Sequence, residues 1–267
     1  MTQPPDADAS ISDRLRAALD AGRPVALLTV VDGVGQGSKV LAERDGTTLG
    51  TLGDPELDRV AVRDALGELS HGRTALRHYG AQGQGGAQDV TVFVESFTAP
   101  PRMVVFGAVD FTAALVRVAK VLGFHVTVCD AREVFASPAR FPEADEVVVE
   151  WPDRFLRTVA DELGPDDAVC VLTHDVKFDV PALVEALGTG VGYIGAMGSR
   201  ATHAARVERL RDAGVDDDGL ARIRAPIGLD LGARTPEETA ISICAEVVAL
   251  RNGRSAASLS EGDGPIH

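Results

Sequence analysis

Apolar positions recur along this chain with two rhythms, and the change falls at the proline pair Pro100 and Pro101. Ahead of it, Ile11, Leu15, Ala18 and Leu19 lie on one face of a helix that Gly22 ends. The stretches "VALLTVV", "SKVLAERDG" and "TTLGTLG" follow as strands, broken by glycine clusters and by the Asp45-Gly46 turn signal. Pro55 opens a helix through "PELDRVAVRDALGELSHG", "GAQGQGGAQ" (Gly80 to Gln88) reads as a loop, and "DVTVFVESF" alternates as a strand. Local hairpins with two helices predict a small α+β domain over residues 1–99, of which 1–9 form a frayed tail.

Beyond the prolines, apolar strands alternate with amphipathic helices. The strands are "MVVFG", "HVTVCD", "DEVVVE", "DAVCVLTHD" and "GYIGAMG". Between and after them lie the helices "DFTAALVRVAKVLG", "PDRFLRTVADELG", "PALVEALG", "SRATHAARVERLRDAG" and "TPEETAISICAEVVALRNG". That alternation predicts an α/β domain, a Rossmann-like parallel sheet covered on both faces, over residues 100–254. The last helix has sharp ends: Thr235 and Glu238 form a capping box, Pro236 sits at its first position, and Asn252-Gly253 stop it. Residues 255–267 read as a second disordered tail.

Composition narrows the functional classes. Net charge is −14, which argues against nucleic acid and anionic membrane surfaces but leaves a small anionic ligand open. No apolar run approaches the ~18 residues of a membrane helix. The start "MTQPPDADAS" lacks the basic and apolar regions of a secretory signal, so a cytoplasmic protein is expected. Cys129, Cys170 and Cys244 are far apart in apolar runs with no C-x-x-C pair, which predicts buried structural thiols and no zinc site.

Candidate chemistry lies at strand ends. Gly107 begins a strand-to-helix turn, and Asp130 follows 23 positions later, as the ribose-binding acid of a dinucleotide site would. Val109 and Thr112, however, hold the places of the second and third glycines, so NAD or NADP should bind poorly and Asp110 should serve as the helix cap. His174, Asp175 and Asp179 cluster after the fourth strand; metal ligation, ligand contact and turn capping all stand open for them. In "YIGAMGSRATH", Gly198, Ser199, Arg200 and His203 open a helix, which makes either an anion seat or a simple cap. The loop "DGVGQGS" (Asp32 to Ser38) reads as a hairpin connection, with a backbone nest as the alternative.

Three segments together, "LTHDVKFDVPAL", "GYIGAMGSRATHAARVERL" and "APIGLDLGARTPEETAISICAEVVALRNG", resemble the carboxyl domain of the XdhC/CoxI family, the accessory proteins of xanthine dehydrogenase and related molybdenum hydroxylases. "FPEADEVVVEWPDRFL" fits the same family, and the resemblance runs from about Arg23 to Gly253. It implies a chaperone that binds the molybdenum cofactor, supports its sulfuration by a cysteine desulfurase, and delivers it to a hydroxylase of xanthine dehydrogenase or CO dehydrogenase type. It places the family's motifs on Thr173, His174 and Asp175 and on Gly198, Ser199 and Arg200; with Gly107, Asp110 and Asp130 these form the candidate cofactor-binding set. No catalytic residue and no metal ligand is assigned. The chain departs from the family in two places. Gly53, Asp54 and Pro55 stand where a Gly-Gly-Cys-x-Glu stretch is usual, and Gly107-Ala108-Val109-Asp110 replaces Gly-x-Gly-His. The rival readings are a nucleotide-dependent oxidoreductase and a protein-protein adaptor without cofactor, and a homodimer is left open.

Overall fold

The computed structural model describes residues 10–70, 72–80, 89–173 and 175–261. The expected tail at 1–9, residues 262–267 of the tail expected over 255–267, and most of the Gly80–Gln88 loop lie outside them; residues 255–261 are described and end in a 3-10 turn at Leu259–Glu261. The chain divides into two compact units, Met1–Pro100 and Pro101–His267.

The first unit runs α1 (Ile11–Asp20), β1 (Val25–Gly33), β2 (Lys39–Glu43), β3 (Thr48–Thr51), α2 (Pro55–Ser70), β4 (Ala75–Tyr79) and β5 (Val90–Phe97). Ser10 caps α1 by accepting from Asp13 N, and Gly22 ends it at φ +64°. The Asp45-Gly46 turn forms as expected: Asp45 accepts from Thr47 N at 2.9 Å and Gly46 takes φ +87°. The strands form one antiparallel sheet in the order β3-β2-β1-β5-β4. Strand alternation then divides the apolar side chains between two faces. Leu28, Val30, Val40 and Val92 meet Leu57, Ala61 and Ala65 of α2, while Val25, Leu27 and Leu41 meet Ala18 of α1. The sequence pattern does not announce β4, whose Leu76, Arg77 and His78 are exposed; its pairing with β5 alone makes it a strand.

The second unit runs β6 (Arg102–Phe106), α3 (Asp110–Val121), β7 (His125–Cys129), β8 (Glu146–Val148), α4 (Pro152–Val159), β9 (Ala168–Val171), α5 (Val176–Leu187), β10 (Tyr193–Ala196), α6 (Arg200–Asp212), α7 (Asp217–Arg222), β11 (Ile223–Arg224) and α8 (Pro236–Arg251). Its sheet is parallel, in the order β11-β10-β9-β6-β7-β8. Met103, Val105, Val126 and Cys170 pack on one face against Leu115 of α3 and Ile243 of α8. Val104, Phe106, Val169 and Val171 pack on the other against Leu156 of α4, Leu183 of α5 and Leu210 of α6. This is the predicted doubly covered sheet, with one more strand than the pattern gave, the two-residue β11. The helix expected to start at Pro181 begins at Val176, because Asp175 caps it and tertiary contacts hold its first turn. Phe178 stacks edge-on against Trp151 at 5.0 Å, and Asp179 is buried. Cys129, Cys170 and Cys244 are buried and unpaired.

Candidate functional site

From β6 the chain fills β7 and β8 on one side and later β9, β10 and β11 on the other, so the order reverses between β6 and β9. Doubly wound sheets bind ligands outside the carboxyl ends of the strands at such a reversal. The turns after β6, β7, β9 and β10 build that edge here.

The turn after β6 is held from within. Gly107 has φ +107°, and a Cβ on it would lie 2.9 Å from Thr173 N, so the close approach of this turn to the end of β9 requires glycine. Asp130, at the end of β7, accepts from Ala108 N at 2.8 Å, from Arg132 N at 2.9 Å, and from the Arg132 guanidinium at 2.9 and 2.8 Å. Burial pushes its pKa up, but the Arg132 side chain and the two backbone donors outweigh that and hold it below the usual aspartate value. Asp110, expected as the helix cap, is instead the first helical residue; it is exposed, with Arg140 Nη2 at 3.9 Å. Thr112 is the reason: its hydroxyl reaches back to donate to Gly107 O and accept from Val109 N at 3.4 Å, closing the turn one residue earlier. The N–H groups that a dinucleotide fingerprint turns toward pyrophosphate, those of Ala108 and Val109, are thus engaged inside the protein.

The turns after β9 and β10 are tied together by a buried ion pair. The Thr173 hydroxyl donates to Asp179 Oδ1, and Arg206 Nη2 donates to Asp179 Oδ2 at 3.0 Å and to Met197 O at 2.9 Å. The Arg206 and Asp179 side chains are only 3% and 5% exposed, which puts both charges out of solvent. Asp175 caps α5 by accepting from Lys177 N at 3.1 Å, with Lys177 Nζ 3.2 Å away. His174 lies outside the described residues. Among the described residues no three His, Cys, Asp or Glu converge as a metal site.

Ser199 is the N-cap of α6, accepting from Thr202 N at 3.1 Å, and His203 N donates to Ser199 O. The first-turn N–H groups of Arg200 and Ala201 have no backbone partner among the described residues. Arg200 is exposed, and its guanidinium makes no hydrogen bond or ion pair among the described residues. Gly198, at φ +142°, bends the chain into this helix. Farther in, His203 Nδ1 and Arg206 Nη1 are buried without a partner among the described residues. Burial first, and then the charge of Arg206, push the His203 pKa down. Sequence reading passed over Arg206. A signal for it exists: Ser199, His203, Arg206 and Leu210 share one helix face, and Leu210 is fully buried, so an arginine on that face stands out.

In the first unit, Asp54 accepts from Glu56 N at 2.9 Å and Leu57 N at 3.1 Å, which makes it the cap of α2. Asp58 holds the preceding residues by accepting from Leu52 N at 2.6 Å and the Thr51 hydroxyl at 2.7 Å. The Asp32–Ser38 loop closes the β1–β2 hairpin, with Gly37 N donating to Val30 O and Ser38 N to Gly35 O.

Residues 103–247 match the family model described as the XdhC Rossmann domain, and residues 18–80 match that of the XdhC and CoxI family. The Escherichia coli K12 protein YqeB, itself described as uncharacterized, is 29% identical over 241 residues, 86% of this chain and 44% of its own. A Bacillus subtilis 168 protein described as a probable subunit of xanthine dehydrogenase is 30% identical over 61% of this chain and 47% of its own. The molybdenum cofactor insertion chaperone PaoD of Escherichia coli K12 is 34% identical over 37% of this chain and 31% of its own. This chain therefore spans less than half the length of these curated relatives. A Bacillus halodurans crystal structure described as a xanthine dehydrogenase is similar in fold, with a TM-score of 0.52 at 23% identity, covering 92% of this chain and 97% of that one.

Proposed function

This chain belongs to the XdhC and CoxI family, and we propose that it is an accessory protein of molybdoenzyme maturation without turnover of its own. In this reading it binds the molybdenum cofactor or a related phosphorylated ligand and hands it to a hydroxylase of the xanthine dehydrogenase or CO dehydrogenase type. A cysteine desulfurase is its second partner, and the setting is cytoplasmic. The observation that carries the reading is the start of α6, where a capped helix leaves first-turn N–H groups and the unengaged Arg200 guanidinium at the carboxyl edge of the sheet. A helix start with a free arginine suits a phosphate, by dipole, by N–H donors and by bidentate geometry. The name of PaoD, a molybdenum cofactor insertion chaperone, supports the same class of ligand. No helix among the described residues is long and apolar enough to cross a membrane.

The residues present fit the phosphate end of such a ligand: Ser199, Arg200 and the N–H groups of Arg200 and Ala201 would hold it. Bound there, the cofactor would bring the molybdenum chemistry that the client enzyme uses. For the metal end the described residues offer no accessible thiol, since all three cysteines are buried. NAD and NADP should bind poorly, because the Ala108 and Val109 N–H groups are already engaged and Val109 carries a branched side chain where backbone would have to approach. The test is native purification from a cell that makes the cofactor, with metal analysis and identification of any pterin. Pterin in the wild-type protein, together with faster activation of a hydroxylase, supports the reading. A protein free of pterin and molybdenum, carrying a nicotinamide or other nucleotide instead, would move it to the oxidoreductase class.

A further inference from the structure

We propose that Arg206, approached through the side-chain-free position of Gly198, is the residue that reads the ligand's oxyanion, with His203 Nδ1 as its second contact. The proposal deepens the reading above and rests on it. Buried polar groups are nearly always hydrogen-bonded, and leaving one without a partner is costly, the more so when it is charged. Here two such groups sit on one helix. Arg206 Nη1 and His203 Nδ1 are both closed off from solvent and both lack a partner among the described residues. Residues three apart share a helix face, so the two side chains are neighbours on α6, close enough for the charge of Arg206 to act on His203. The Arg206 head cannot turn away to find another partner, because Nη2 is pinned by Asp179 and by Met197 O.

Gly198 lies directly over this head. A Cβ built on it would be 3.7 Å from Arg206 Nη2 and 3.1 Å from Thr202 Cγ2, so a side chain there would stand against the Nη2 side of the guanidinium. Its φ of +142° is one that only glycine adopts readily, so the backbone conformation itself keeps this position free of a side chain. Charge favours an anion as well. Asp179 neutralises Arg206, while the unengaged Arg200 and the positive end of the 13-residue α6 add net positive potential at the same turn. The fitting ligand class is a phosphate monoester or another tetrahedral oxyanion, whose oxygens can take the first-turn N–H groups outside and Nη1 and Nδ1 inside.

Inorganic phosphate is the probe, followed by calorimetry and by the ¹⁵N signals of the histidine rings in the full chain. In the wild type, saturating phosphate should move the His203 Nδ1 resonance, a readout that needs no mutation. Arg206→Lys keeps a charge against Asp179 but removes the second amino group, and should weaken phosphate about tenfold or more. Arg200→Ala should cost no more than about fivefold, the scale of an exposed charge. If Arg206→Lys binds phosphate as the wild type does and the His203 signal stays still, while Arg200→Ala abolishes binding, the inference fails and the helix-start reading stands. If the wild type binds neither phosphate nor any phosphorylated compound, the anion reading of this edge falls, and the inference with it.

Discussion

Replacing Asp54 by cysteine puts the departure from the family pattern to a physical test. Asp54 holds two N–H groups of α2, those of Glu56 and Leu57, through one carboxylate oxygen. Losing that cap should cost about 1 kcal/mol, within the ~0.5–2 kcal/mol range for N-cap removal. The introduced thiol would sit at the start of a 16-residue helix, where the dipole favours a thiolate. The dipole alone contributes about 0.3–1 kcal/mol, which lowers the thiol by about half a unit from the ~8.5 of a free cysteine. The native thiols will not confuse the assay. Burial pushes Cys129 and Cys244 up to about 12 and Cys170 well above its ordinary value. Alkylation with iodoacetamide between pH 6 and 9 therefore reports the new thiol alone. Urea unfolding gives the capping cost, and metal analysis after expression in a cofactor-producing cell gives retained molybdenum. A soft thiolate binds molybdenum where a carboxylate does not replace it, so retained metal should rise. An alkylation midpoint at or above that of free cysteine would refute the helix-start argument. Equal molybdenum in wild type and variant would show that this position does not govern retention.

Three further outcomes follow from the second unit. Asp179→Ala leaves Arg206 buried without its counter-charge and should destabilise by about 3–5 kcal/mol in urea unfolding, whereas Asp179→Leu combined with Arg206→Met should recover most of the loss; a single-variant loss under about 1 kcal/mol would remove the pair from the stabilising contacts. Gly107→Ala should cost more than about 2 kcal/mol, since it adds a Cβ 2.9 Å from Thr173 N at φ +107°, and a wild-type thermal midpoint would show that the two turns do not need their close approach. His203 has its folded pKa pushed below the ordinary 6.5 by burial and by Arg206, so the unfolded chain takes up the proton first as pH falls. Its contribution is present above the unfolded value near 6.5 and is lost as pH falls from there through the folded pKa; His203→Gln should flatten that part of the stability profile, and superimposable profiles would contradict the assignment.

Where one rule governs a residue, the sequence was enough. The apolar strands at Met103–Phe106, Val126–Cys129 and Val169–Val171 are buried on both faces of the sheet, so their composition alone marked a parallel core. The capping box of Thr235 and Glu238 is local, formed between residues three apart, and it formed as read; the Ser199 cap, one of the two readings left open for its turn, is local in the same way. Elements whose stability comes from a neighbour stayed hidden. The edge strand β4 has exposed side chains, β11 is two residues paired to β10, and the first turn of α5 is held by contacts of Phe178 and Asp179.

The candidate site divides along the same line. Sequence alone placed Gly107, Asp130, Thr173, Asp175, Gly198, Ser199 and Arg200 at strand ends, because a parallel sheet brings all its carboxyl ends to one edge. It also determined that Ser199 could cap and Arg200 stand beside it, since both belong to one turn. Only the tertiary structure decided what each strand-end residue faces. It turned Asp130 inward onto Ala108 and Arg132, gave the helix start after β6 to Thr112 rather than Asp110, and joined Thr173, Asp179 and Arg206 across 33 positions of chain. Hydrophobic periodicity and caps act within a few residues and are written in their order. A buried charge finds its partner by which strands lie side by side, and that is settled only when the sheet closes.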